Sequence, residues 1–132
     1  MNKRRFLVID DESINLNVIQ TILLAEGHEV VALTSGLEAL KHCRAGDGAF
    51  DMVLLDVHMP ILNGFETAVA LRGIHGMAQT PIIFVSARAT QADQEAGLAA
   101  GGRYYLTKPF KRKDLLDAID RVLPNRPGPL AS

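Results

Sequence analysis

Met52-Val53-Leu54-Leu55-Asp56 is an apolar run that ends in an acid, and Met59-Pro60 and Asn63-Gly64 follow it. A run this uniformly apolar reads as a strand buried on both faces. The acid and the turn residues behind it place the strand's carboxyl end at a loop. A second run of the same kind, Phe6-Leu7-Val8-Ile9, ends in Asp10-Asp11. If the two strands lie side by side and parallel, three carboxylates meet at one edge of a sheet. Like charges held that close disfavour one another's ionised form unless something positive joins them. The arrangement therefore marks a site.

The rest of the chain repeats the pattern. Strands are expected at 6–9, 30–33, 52–55, 81–85 and 103–106. Helices are expected at 13–26, 36–44, 64–72, 90–99 and 111–123. The first helix carries Ile14, Val18 and Ile22 with Ile19 and Leu23 beside them; the last carries Leu115, Ile119 and Val122 with Leu116 and Leu123. Each set makes one apolar stripe at helical period. Ser35-x-x-Glu38 and Asn63-x-x-Glu66 have the form of capping boxes. Gly27 and Gly101 stand just past helices, where a left-handed residue is wanted. Strict βα alternation predicts a three-layer α/β sandwich, (βα)5, with a parallel sheet covered on both faces. Strand two is bracketed by charge and Gly/Ser, so it reads as an edge. Right-handed crossovers then give the flavodoxin-like strand order 2-1-3-4-5. Strands one and three become neighbours, and their carboxyl ends form the crevice where ligands bind in such sheets. Asp10, Asp11 and Asp56 fall there, strand four adds Ser86 and strand five adds Lys108.

The 132 residues fit one domain, read as 1–123, with a proline-rich end at 124–132 expected to be a flexible tail or the start of a linker. Apolar residues at 48% supply a proper core. A net charge of −1 argues against nucleic-acid binding through bulk positive charge. No apolar run approaches the roughly 20 residues of a membrane span. The basic start, residues 1–5, leads into an apolar run too short for a signal peptide. Cys43, the one cysteine, reads as a small core hydrophobe, and the expected location is the cytoplasm.

Clustered carboxylates without cysteine or a histidine pair suit a hard divalent cation. Mg2+ takes one or two carboxylates, keeps several waters and leaves room for phosphate oxygens; Mn2+ can stand in for it. Zinc would want His or Cys ligands, and His28, His42, His58 and His75 lack the spacing. A carboxylate beside such a metal can attack a phosphoryl group. The metal and a lysine then neutralise charge on the transferring oxygens. Lys108, before Pro109, is suited to this, and Ser86 can donate a hydrogen bond to the group. Each residue also has a plain reading: a strand-end Asp as a helix cap, a loop lysine as surface charge, a serine as turn chemistry. Their convergence at one crevice argues for the site.

With these motifs the chain resembles receiver domains of two-component response regulators. The resemblance runs from about Arg4 to Leu123 and rests on Phe6 to Asp11, on Leu54-Leu55-Asp56-Val57-His58-Met59-Pro60 with Asn63-Gly64, on Val85-Ser86-Ala87 and on Leu106-Thr107-Lys108-Pro109-Phe110. It implies that Asp56 is phosphorylated by a histidine kinase or phosphotransfer protein. It implies Mg2+ held by Asp11, Asp56 and the His58 backbone carbonyl, with Asp10 acting through water. Ser86 and Lys108 would hold the phosphoryl group, and Tyr105 would be the switch aromatic. The fourth helix, fifth strand and fifth helix would form the moving surface, read by a downstream effector and able to pair a weak dimer. His58 and Arg88, each two residues past a site residue, would tune the phosphoryl lifetime. No nucleic acid or membrane partner is implied for this domain. The segment from Asp11 to Val18 resembles receivers attached to hybrid sensor histidine kinases.

Two departures from the family pattern stand out. Arg103 takes a position where small or acidic residues are usual. Lys111-Arg112-Lys113 opens the fifth helix without an Asp, Ser or Asn cap, placing cations where the helix dipole disfavours them. Arg103, Arg112 and Lys113 are either a solvated face or a patch for an acidic partner. Rival functions are an Mg2+-dependent aspartyl-phosphate phosphatase and a flavodoxin. The first would want a second Asp two residues after the nucleophile, where His58 stands; the second would want a phosphate cradle where Asp10-Asp11-Glu12 would repel phosphate.

Overall fold

Strands and helices alternate along the chain of the computed structural model, which describes residues 3–46 and 49–123. They are β1 (Arg5–Ile9), α1 (Ser13–Ala25), β2 (Glu29–Leu33), α2 (Gly36–Arg44), β3 (Met52–Asp56), α3 (Gly64–Arg72), β4 (Ile82–Ser86), α4 (Gln91–Ala99), β5 (Tyr104–Thr107) and α5 (Arg112–Val122). The strands form one parallel sheet in the order β2-β1-β3-β4-β5, the flavodoxin-like order expected from the sequence. The expected tail at 124–132 lies outside the described residues.

Alternate side chains of the central strands feed two separate cores, because successive residues of a strand point to opposite faces. Leu7, Ile9, Val53, Leu55, Ile82 and Phe84 pack toward α2, α3 and α4 against Leu40, Cys43, Ala68 and Leu71. Phe6, Val8, Met52, Leu54, Ile83 and Val85 pack toward α1 and α5 against Ile19, Leu23, Leu115 and Ile119. Every residue of β3 and β4 is buried, whereas β2 is only half covered, as its edge position dictates. Cys43 is buried in the first of these cores.

Capping fixes where the helices begin. The Ser35 hydroxyl accepts the Glu38 N–H at 3.1 Å. Asn63 and Glu66 make both halves of a capping box, at 2.8 and 2.9 Å. Thr90 accepts the Asp93 N–H at 3.1 Å. Gly27 and Gly101 both adopt left-handed backbone, φ +86° and +95°, and close α1 and α4.

Three details differ from the sequence reading. β4 and β5 sit one residue further along than expected, so Ser86 and Thr107 pair in the ladder. Pro81 contributes only its carbonyl, accepting from Val53 N–H at 2.9 Å, since proline has no N–H to give. The apolar residues of α1 do not form one stripe. Leu16, Ile19 and Leu23 face the sheet, while Ile14 and Val18 are 78% and 47% exposed. Residues 14 and 18 lie roughly half a turn round the helix from 16 and 23. Finally, α5 does have a partial cap: Asp114 reaches back to accept the Lys111 N–H at 2.9 Å. The cations beside it are paired within the chain, Arg112 with Glu26 and Lys113 with Asp117 at 2.7 Å. Local acids therefore answer two of the three cations that the sequence offered as a patch. Among the described residues no helix is long and apolar enough to cross a membrane.

Candidate functional site

The register of β1 against β3 pairs Ile9 with Leu55. Asp10 and Asp56 therefore stand at the same level, at the carboxyl edge of the two neighbouring strands. Both are buried, 1% and 6% exposed, and Asp11 beside them is open to solvent. Carboxylate oxygens of the three lie within 4.8 Å of one another. Lys108 reaches across from the end of β5. Its Nζ donates to Asp10 Oδ2 at 2.9 Å and to Asp56 Oδ1 at 3.3 Å. Asp10 Oδ1 accepts the Glu12 N–H at 2.9 Å, so both Asp10 oxygens are engaged by the protein.

One ammonium does not balance three carboxylates. Burial, and then the charge of Asp10, push the Asp56 carboxyl up to about 6, against the opposing pull of Lys108. Burial works against the charge on Lys108, but its bond to Asp10 and the charges of both acids outweigh it and raise its pKa. The cluster thus stores unfavourable charge that a cation would relieve. The donor set is all oxygen, with neither histidine nor cysteine in it. That chemistry fits a hard divalent ion such as Mg2+.

The loop after β3 is built around Asp56. Gly64 N–H donates to the Val57 carbonyl at 2.8 Å, folding the start of α3 onto the end of β3. A Cβ on Gly64 would lie 2.8 Å from Val57 Cα and closer still to the Asp56 carbonyl oxygen. Only glycine permits that approach. Ile61 lies in the same loop at φ +70°, an uncommon and strained conformation for a β-branched residue, with Leu62 N–H donating to the Pro60 carbonyl at 2.7 Å. Its side chain is exposed. His58 is exposed on this loop.

Ser86 ends β4, fully buried. Its hydroxyl oxygen accepts the Arg88 N–H at 3.1 Å. The Arg88 carbonyl accepts the Tyr105 hydroxyl, and the Arg88 guanidinium lies 3.7 Å from Asp93 at the head of α4. Tyr105 stands on the α4 side of the sheet, its ring 6.5 Å from that of Phe84. Burial raises its hydroxyl pKa, and contact with Ser86 acts the other way. Tyr104 belongs to the opposite face, with Arg121 5.6 Å from its ring centre. Between α4 and β5 lies a cavity of about 240 Å³, lined by Phe84, Gly97, Leu98 and both tyrosines. A second, of about 280 Å³, lies beside Lys108 and is lined by Asn15, Val18, Ala87, Pro109 and Phe110. The Lys108–Pro109 peptide is cis, and Lys108 N–H donates to the Ser86 carbonyl at 2.8 Å.

The crevice thus brings together Asp10, Asp11, Asp56 and Lys108, while Ser86, Arg88 and Tyr105 form a connected group on the next strands. Sequence reading passed over Arg72. Its guanidinium donates to the Thr80 carbonyl at 2.7 Å and the Gly101 carbonyl at 2.6 Å, tying the loop before β4 to the loop after α4. It also passed over Asp93, whose place opposite Arg88 depends on how the β4–α4 loop turns.

Comparison with known proteins agrees with this architecture. The response regulator receiver domain family matches residues 6–120. Transcriptional regulatory protein CpxR of Escherichia coli K12 is 37% identical over 123 residues, 93% of this chain and 50% of CpxR. Transcriptional regulatory protein PrrA of Mycobacterium tuberculosis is 36% identical over 122 residues, 92% of this chain and 51% of PrrA. The chain spans about half the length of these curated relatives. Chemotaxis protein CheY4 of Vibrio cholerae superposes with a TM-score of 0.86 at 31% identity, covering 92% of this chain and 100% of CheY4. The receiver domain of a sensor histidine kinase from Pseudomonas aeruginosa PAO1 superposes with a TM-score of 0.81 at 31% identity, covering 91% of this chain and 97% of that one. That neighbour holds a magnesium ion in its active-site cleft. The five-stranded order, the acidic crevice and the match over residues 6–120 place this chain in the response regulator receiver domain family of two-component signalling.

Proposed function

We propose that this chain is a phosphorylation switch in which Asp56 accepts a phosphoryl group from a histidine kinase or a histidine phosphotransfer protein. The observation that carries the reading is the buried Asp56 carboxylate, set against Asp10 and Asp11 with Lys108 Nζ at 3.3 Å. Asp11, Asp56 and the His58 carbonyl would hold Mg2+, with Asp10 acting through water while Lys108 and Glu12 N–H fix its oxygens. When bound, the ion supplies positive charge against the phosphoryl oxygens. An Asp56 oxygen attacks phosphorus, the bond from phosphorus to the donor imidazole breaks, and the electron pair leaves with the imidazole nitrogen. Lys108 and Ser86 then serve the oxygens of the transferred group. Serving it requires the Ser86 hydroxyl to turn toward the site, which disturbs its contact with Arg88 and, through Arg88, with Tyr105. The α4–β5–α5 surface is where a downstream effector would read that change, or where two copies would pair weakly.

The exposed Val18, which shares a pocket with Pro109 and Phe110 beside Lys108, and the exposed Ile14 one turn earlier on α1 offer a donor protein an apolar foothold near Asp56. We take 1–123 as the receiver unit, working in the cytoplasm. His58 stands where an aspartyl-phosphate phosphatase would carry its acid, so the chain acts as a switch and not as a turnover phosphatase. Acetyl phosphate with Mg2+ tests the reading. Label should enter the native protein, be lost with a chelator present, and be absent from Asp56→Asn. Equal labelling of the variant would overturn it.

A further inference from the structure

Arg88 joins three parts of the molecule at once. Its N–H is bonded to Ser86, its carbonyl to the Tyr105 hydroxyl, and its guanidinium pairs with Asp93 in the first turn of α4. Asp93 is held for this task. Its Oδ2 accepts the Thr90 hydroxyl at 2.8 Å, its N–H donates to the Thr90 hydroxyl oxygen at 3.1 Å, and its side chain is only 15% exposed. The Thr90 hydroxyl keeps the Asp93 carboxyl below its ordinary range, and Arg88 and His58 add to that effect while burial opposes it. The Arg88 side chain, by contrast, is 65% exposed. One partner is fixed and the other is free to leave.

Arg88 is also tied through its backbone to the strand end beside Asp56. Its backbone is one hydrogen bond from Ser86, which follows Val85, the register partner of Asp56. A phosphoryl group there carries about −1.5 to −2 charge, against −1 for a carboxylate, and presents oxygens that a guanidinium can grip with two N–H groups. The stronger anion would draw the guanidinium off the weaker.

We propose that Asp93 is a positioning residue that holds the Arg88 guanidinium on α4 until an anion on Asp56 captures it. On this view Asp93 sets a cost on anion capture, and departure of Arg88 uncovers the first turn of α4. The inference rests on the phosphorylation reading above and adds to it the element by which the site addresses α4.

The test uses beryllofluoride, a tetrahedral mimic of a phosphoryl group, with Mg2+, followed by 19F NMR of the bound species. Asp93→Asn keeps an oxygen for Thr90, so the α4 cap survives. It should tighten beryllofluoride binding about two- to five-fold, the range expected for an exposed ion pair. In an Arg88→Ala background the same substitution should have no effect, and in Arg88→Lys part of the effect should return. The gain should shrink in high salt. Unchanged affinity in Asp93→Asn, or equal tightening with Arg88→Ala, overturns the inference while native uptake upholds the phosphorylation reading. No uptake by the native protein, with the fold intact, overturns both.

Discussion

Replacing Asp56 by asparagine should stabilise the ion-free protein. Asp56 is buried beside Asp10, and its carboxyl is raised from 3.8 to about 6. A carboxyl whose folded pKa lies above its unfolded value costs stability wherever it is ionised in the unfolded chain. The cost is absent below pH 3.8, grows as pH rises toward 6, and is complete above. A rise of that size corresponds to roughly 3 kcal/mol, and about 2 kcal/mol once water in the open crevice is allowed for. Asparagine keeps the shape, removes the charge and leaves Lys108 its 2.9 Å partner, Asp10. Urea unfolding in a chelator at pH 7.5 should show the variant more stable by about 2 kcal/mol, or about 6–10 °C in Tm for a chain of this size. The gap should close as pH falls to 4. Equal or lower stability of the variant at pH 7.5, or a gap that persists at pH 4, would refute the claim that the crevice stores repulsion.

The other predictions concern what surrounds that charge. Gly64→Ala should cost about 1–3 kcal/mol by urea unfolding, because the added methyl has no room against Val57 and the Asp56 carbonyl. Divalent-ion affinity, read by calorimetry, should fall with it. Lys108→Met should destabilise the ion-free protein by roughly 3 kcal/mol at pH 7.5, since two buried carboxylates lose their shared ammonium. The loss should be smaller at pH 5, where Asp56 takes up a proton. Mg2+ at about 100 times its Kd should raise native stability by about 2.7 kcal/mol in a thermal-shift titration, and Asp56→Asn should lose most of that gain.

The sheet was legible because burial on both faces writes itself into β1, β3 and β4 as uninterrupted apolar runs. Crossover handedness then left one economical strand order. The acidic crevice followed from that order, since Asp10 and Asp56 each end such a run. What could not be read were features that depend on angle and turn. Ile14 and Val18 have the same spacing as core residues, and only the seating of α1 on Leu16, Ile19 and Leu23 shows that they face out. Lys111 lacks a capping side chain, so the return bond from Asp114 was invisible in the cap position itself. Arg72 resembles any helix-end cation until the loops that supply its carbonyl partners are folded around it. The contacts that join Arg88 on the β4–α4 loop, Asp93 on α4 and Tyr105 on β5 follow no spacing rule, although Arg88 and Tyr105 themselves were named from the family resemblance.

The claim on which everything else depends is that Asp56 itself carries the phosphoryl group. An aspartyl phosphate is an acyl phosphate, and borohydride reduces it to homoserine while leaving free carboxylates untouched. Native protein treated with Mg2+ and acetyl phosphate, reduced and mapped by peptide mass spectrometry, should show homoserine in place of Asp56 and intact Asp10 and Asp11. Homoserine at Asp10 or Asp11, or no reduced residue in protein that carries label, would contradict the account.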